Sequence, residues 1–453
     1  VFHELPVPSA KPSTFLTPPL QLQNNAPVAR VFDPQLMLPT VHMWNLTLQR
    51  ELPGGYILSA GYVGRRGQRL YRSYDANQID SAPILPSFLA MQKNTAISGC
   101  RPDGTLANGN QCAGATAVPL IQQGILTSTF ANSTTSITDL SQNGAGNMAG
   151  RIEQTTLALK LRANQQFAQI LYFDNGGDSV YHAFQLTFRK RFDRQGLLLN
   201  GAYSFSKSID DLSIDPVAST SSGGLTTTAA RTPADARNYH NERARSDFDQ
   251  THVLNWSGIF ELPFGKGKKL MGSPNPFLNA IVGGWSTNGI FTYQSGEPFT
   301  IRSGVLTANF SAQSRAELKS GISLPQPQLQ QKAGVIGPVF YQNADAFTTP
   351  GPGQLGFGRN IFQGPSYWNF DLGITKGFRI SEKARMVFRT EMFNAFNHPN
   401  FRNPRDASGG SPALTSSVFG QACCVTLSTA SSATTNQNGE SWRVIQLALK
   451  LSF

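Results

Sequence analysis

Charge is scarce in this chain: Asp, Glu, Lys and Arg make up 14% of its 453 residues, against about 25% in an ordinary soluble protein. Long apolar runs are absent as well. No stretch of about 18 apolar residues occurs, which excludes membrane-spanning helices, and the mean hydropathy of -0.24 would hide membrane contact from any window average. Long basic runs are also lacking, because the 38 Lys and Arg are scattered and cluster no more densely than Lys266, Lys268 and Lys269 or Arg189, Lys190 and Arg191. The net charge of +11 therefore does not point to nucleic acid. The amino end, VFHELPVPSAKPSTFLTPPL, has neither an initiating Met nor the apolar core of a signal peptide, so the chain is expected to begin mid-protein or after processing.

What is present is alternation. From Trp442 to Phe453 the sequence reads WRVIQLALKLSF, with Ile445, Leu447, Leu449, Leu451 and Phe453 on one face and Gln446, Ala448, Lys450 and Ser452 on the other. Arg443 interrupts the apolar face at its upper end, where a long side chain can snorkel toward headgroups. Eight further segments of crossing length behave alike: 42–51, 56–64, 180–192, 197–206, 252–262, 285–294, 367–375 and 384–394. Tight joints such as Pro53-Gly54-Gly55 and Asp193-Arg194-Gln195-Gly196 alternate with long polar ones, over 65–179, 207–250, 295–366 and 395–441. Compact soluble domains seldom carry such loops, whereas outer-membrane barrels have short turns at the periplasmic rim and long loops outside. The expected fold is all-β: an antiparallel transmembrane β-barrel, about nine strands of it, with long extracellular loops. Phe453 then falls at the periplasmic rim.

Seven ordered segments carry a family resemblance: WNLTLQRELPGGYILSAGYVGRRGQRL, YHAFQLTFRKRF with GAYSFSKSIDD, ERARSDFDQTHVLNWSGIFELPFG, GGWSTNGIFTYQSGEPF, GRNIFQGPSYWNFDLGITKGF, FRTEMFNAFNHPNF and LALKLSF. Together the chain resembles the carboxyl-terminal barrel half of TonB-dependent outer-membrane receptors, in the Oar-like branch abundant in Acidobacteria. The resemblance implies a 22-stranded barrel, an amino-terminal plug and a TonB box engaging an inner-membrane motor. Plug and box are not found in this sequence, so a fragment of a longer receptor is expected. Residues 1–40 are read as an irregular extracellular segment and 41–453 as barrel. A nine-stranded closed barrel is disfavoured, since bacterial single-chain barrels have even strand numbers.

The implied partners are outer-membrane lipid, the plug and further strands of the same protein, the TonB complex, and the barrel-assembly machinery through Phe453. The implied place is the bacterial outer membrane. Candidate residues on the solute path face the lumen: Arg189, Arg191, Asn369, Asp371, Arg389, Glu391, Gln446 and Lys450. Their plainer role is to bond a plug or one another. Cys100 and Cys112 are expected to form a disulfide in the first long loop, whereas Cys423 and Cys424 are adjacent and leave free thiols and cross-loop pairing open.

His240, Glu242, Asp247, Asp249 and His252 cluster without a zinc or calcium spacing, and read as rim groups paired with Arg243 and Arg245. The FGKGKK stretch from Phe264 lacks a phosphate-loop pattern and any helical pattern after it, so it reads as a periplasmic turn whose lysines can touch anionic headgroups. No nucleophile and base arrangement is supported, so no enzyme, cofactor or metal is expected. The expected function is uptake of a bulky, scarce solute such as an oligosaccharide or siderophore. The alternatives are a surface adhesion or protein-export barrel whose long loops bind polysaccharide or protein, and a secreted glycan-binding protein or hydrolase, which leaves the regular joints unexplained.

Overall fold

In a computed structural model the chain is described over residues 28–155, 159–192, 196–213, 233–310, 314–323, 339, 344–381, 384–401, 403–404, 413–422 and 443–453. Nine strands follow one another in a single antiparallel meander. They are β1 (Thr40–Leu52), β2 (Tyr56–Asp75), β3 (Gln169–Lys190), β4 (Leu197–Asp210), β5 (His252–Glu261), β6 (Trp285–Gln294), β7 (Tyr367–Arg379), β8 (Arg385–Phe393) and β9 (Val444–Ser452). Each is one of the nine alternating segments. Trp442 and the turn residues 193–195 lie outside the described residues, as do Cys423 and Cys424.

Register confirms the period of two across the whole sheet. Leu48, Ala60, Leu186, Tyr203, Leu254, Tyr293 and Trp368 form one continuous row of cross-strand partners, while Gln49, Ser59, Thr187, Ala202, Asn255, Thr292 and Asn369 form the adjacent row on the opposite face. One face is therefore apolar and the other polar. Among the described residues nothing covers the apolar face of the edge strands: Leu46, Leu48, Leu447 and Leu449 are all 67% exposed or more. Aliphatic side chains in such continuous display require an apolar surrounding from outside the chain. Edge strands β1 and β9 have no strand partner on their outer sides among the described residues, and their free N–H and C=O groups need pairing in lipid.

The first long loop departs from the expected polar connection. The strands that flank it run on to Asp75 and back from Gln169, and residues between them fold into a helical cap. Its helices are α1 (Leu85–Thr95), α2 (Pro119–Gln122), α3 (Ser128–Ala131), α4 (Thr134–Ser141) and α5 (Ala145–Glu153). Phe88, Met91, Leu140, Met148 and Ile152 form a buried apolar core of their own. Serine and threonine caps start two of the helices: the Ser133 hydroxyl accepts from the Ser136 amide at 3.2 Å and Thr127 from Phe130 at 3.1 Å. Cys100 and Cys112 are bonded, closing a small hairpin. Buried Asn94 ties that hairpin to α1 by donating to the carbonyls of Pro102 and Thr116 and accepting from the Thr116 amide.

Two further differences stand out. Val28–Phe32, within the segment expected to be irregular, forms a short strand parallel to Gln169–Phe173. The link from β5 to β6, expected to be a turn without helix, contains α6 (Pro276–Val282), started by Asn275, whose side chain accepts from the Leu278 amide at 2.7 Å. Its pattern is only seven residues long, too short to show a helical period.

Candidate functional site

The polar face carries two shallow grooves. The lower, of about 650 Å³, is lined by Gln49, Ser59, Thr187, Arg189, Asn200 and Asn255 among others, and the upper, of about 480 Å³, by Arg65, Tyr181, Gln185, Ser208 and Phe248. The lower one sets the apolar Ile57, Phe188, Trp256 and Ile290 and the charged Arg189 beside uncharged amides and hydroxyls. The amides and hydroxyls present both donors and acceptors, which suits a polar, hydroxyl-rich solute.

The residues expected on the solute path all carry the polar-face parity, but they do not converge. Arg189 and Asp371 lie in one row, joined through Asn200, Ser257 and Ile290. Asp371 is already engaged by the Asn369 side chain at 2.8 Å and the Asn394 amide at 2.9 Å. Glu391 faces Gln446 across β8 and β9 and pairs with Arg389 at 3.4 Å. Arg191 pairs with Glu51 at 3.7 Å, just beyond the end of β3, and Lys450 stands opposite Val387 near the short-turn rim. Arg443 stands at the upper end of β9, where its amide donates to Asn397 at 3.0 Å and its guanidinium to the Ala395 carbonyl at 3.4 Å.

At the upper mouth the long loops are knotted together. Arg315 of the third loop holds Glu242 of the second through two bonds of 2.6 Å, with both side chains buried. Arg359 bonds Asp210 at the end of β4 and Asp247 at 3.0 Å, and Asn360 donates to Asp247 at 2.6 Å. Asp249 takes Arg245 at 2.7 Å, whereas Arg243 turns to Asp178 and Asp211. The expected pairing with Arg243 and Arg245 thus holds only for Asp249. The remaining acids are neutralised by arginines of a loop far away in sequence. No group of His, Cys, Asp and Glu among the described residues is arranged to hold a metal.

The same knot binds the cap. Arg237 pairs with Asp80, Asp80 bridges to Asn309, and Gly146 and Gly150 of α5 let the backbone of Asn309 and the ring of Phe310 approach so closely that a Cβ would meet them at 2.3 and 2.2 Å. Tyr239 of the second loop lies 4.0 Å from Arg72, which is itself clamped bidentately on Asp174. Burial pushes the Tyr239 phenol far above its ordinary range, so it stays neutral. In the cap, burial raises the Asp139 carboxyl even against the attraction of Arg151.

On the apolar face the strands end in two girdles. Above, Tyr62 bonds His182 at 2.6 Å, Tyr203 bonds His252 at 2.8 Å, and His398 stacks on Trp368 at 4.0 Å. Below, Lys190 lies over Tyr56 and Lys376 over Trp285, each pair being direct cross-strand partners. Both lysines are almost fully buried, and each donates to turn carbonyls, Lys190 to Gly54 and Lys376 to Ile281 and Gly283. His182 and Lys190 are eight residues apart, as are Trp368 and Lys376; at about 3.3 Å per residue this is roughly 26 Å along the strand, close to the apolar band of an outer-membrane barrel. The lysines escaped the sequence reading because they interrupt the apolar alternation. Their signal was parity: each falls on the apolar face, at its lower end.

A family profile described as an outer membrane beta barrel domain matches residues 3–446. No curated protein matches the sequence. Among solved structures, the outer membrane transporter YddB from Escherichia coli is similar, at 10% identity and a TM-score of 0.34, over 83% of this chain and 31% of that one. The chain thus spans about a third of the length of that transporter.

Proposed function

Because the chain belongs to the outer membrane beta barrel domain family and so to the bacterial outer membrane, we propose that it is the barrel part of a receptor for uptake of a bulky, scarce solute. The observation that carries the reading is the joining of the loops into one shell, through Arg315, Arg359 and Arg237, above a polar face lined with amides and hydroxyls. A structured shell selects at the mouth, and the polar wall beneath it lets the selected solute pass. Oligosaccharides fit that wall best, siderophores next. The Oar-like resemblance adds energy coupling through the TonB complex, and assembly through the aromatic end at Phe453.

The test compares cells lacking the gene with cells carrying it, given labelled oligosaccharides of graded length and a labelled ferric siderophore, with and without a protonophore. Accumulation of one probe that needs both the gene and the proton gradient supports energised uptake. Accumulation insensitive to the protonophore rejects TonB coupling, and equal accumulation in both strains rejects uptake of these probes. A second reading, surface adhesion, draws on the cap, since a disulfide-closed subdomain with its own core is more than a gate requires. Deleting residues 76–168 then abolishes cell or polysaccharide capture and leaves uptake intact.

A further inference from the structure

The link between β5 and β6 lies at the short-turn rim, yet it is long and carries exposed apolar side chains beside its lysines. Phe264, Leu270, Met271, Phe277 and Ile281 are exposed along it, Phe277 at 77%, and α6 has no buried residue at all. A seven-residue helix is not stable in water on its own propensity, so something must hold it. Two side chains do. The Trp285 indole donates to the Ile281 carbonyl at 2.8 Å, and the Lys376 ammonium donates to the carbonyls of Ile281 and Gly283. Trp285 and Lys376 are cross-strand partners with the parity of Ile374 and Phe291, the membrane face. Helix α6 is therefore pinned to the lipid side of the barrel wall at the periplasmic rim, not to the lumen.

The charge on this link has one sign. Lys266 and Lys269 are exposed, and Lys268 pairs with Glu261 at 2.6 Å. The Lys266 amide is fixed on the Asn279 side chain of α6 at 2.7 Å, so the basic loop and the helix form one unit. Exposed apolar side chains beside exposed lysines, continuous with a wall that faces lipid, are the composition of an interfacial membrane element. We propose that Phe264–Val282 is a foot inserted into the periplasmic leaflet of the outer membrane, with Phe277 and Ile281 among the upper acyl carbons and Lys266 and Lys269 on the phosphates of anionic glycerophospholipids. The buried Lys376 caps the helix from the wall and sets its depth.

The test uses the full-length receptor. Phe277→p-benzoylphenylalanine, photolysed in living cells, should form an adduct with phospholipid acyl chains, identified by mass spectrometry of the modified peptide; an adduct with a protein, or none at all, overturns the proposal. In vesicles of phosphatidylethanolamine with a minor share of phosphatidylglycerol, the native receptor should retain phosphatidylglycerol preferentially. The Lys266→Gln, Lys269→Gln receptor should lose about fivefold of that preference per lysine, with heat-modifiable migration unchanged as the check on folding. Retention equal to the native receptor's rejects the headgroup role, and retention abolished by inorganic phosphate marks a phosphate site instead of a lipid foot.

Discussion

The sheet and the outer shell obey opposite rules of burial. In the sheet the large apolar side chains of β1 and β9 stand fully displayed while the backbone carries the order, because lipid supplies the apolar phase and every strand needs only a neighbour. In the shell the order lies in side chains: Phe88, Met91 and Met148 are wholly buried, and Arg315 and Arg359 neutralise acids with almost no exposure. Membrane strands need no core of their own, whereas a shell standing in water must build one. Two kinds of damage should then separate the regions.

The largest separation is expected from Arg315→Ala. It strands Glu242 as a buried, unpaired carboxylate at a cost of about 3–5 kcal/mol, so protease sensitivity and amide exchange of 233–249 and 314–318 should rise sharply. The barrel should still assemble, seen as unchanged heat-modifiable migration. Failure of assembly would mean that shell and sheet fold as one unit. The converse is a pair of substitutions in β9. Leu449→Arg turns a charge to lipid and should cost roughly 2–4 kcal/mol if near the midplane, lowering the urea midpoint for the whole barrel, while Ala448→Arg, on the polar face beside Arg389, should cost far less. Equal effects would deny the assigned parity.

The same contrast explains what could be read in advance. All nine strands were legible because lipid on one face and polar groups on the other impose a period of two that no strand can evade. β6 has the bounds its alternation implies, Trp285–Gln294. The cap was illegible because its helices run for only 4 to 11 residues, too short for a period of 3.6 to repeat clearly. Its core depends on contacts that composition does not announce, as where Gly150 admits Phe310 from the third loop. The acidic cluster misled in a related way. Its nearest arginines in sequence, Arg243 and Arg245, are not the partners of Glu242 or Asp247, since ion pairs are chosen by the path of the third loop.

The smallest expected effect belongs to the seam, where His398 leaves the end of β8 and stacks on Trp368 of the sheet. Burial depresses its imidazole, and Nδ1 is buried without a hydrogen-bond partner, so the neutral ring is the form that packs. A depressed folded value makes this contribution complete above the ordinary histidine value of 6.5 and lost as pH falls through that value toward the lower folded one. Lowering the pH from neutral into the mildly acidic range should therefore loosen the upper end of β7. His398→Phe keeps the stack and removes the titration, so amide exchange at 367–369 should become insensitive to pH over that range. If the native protein and the variant respond alike, the seam owes its order to the Asn400 bonds to the Trp368 backbone rather than to the ring.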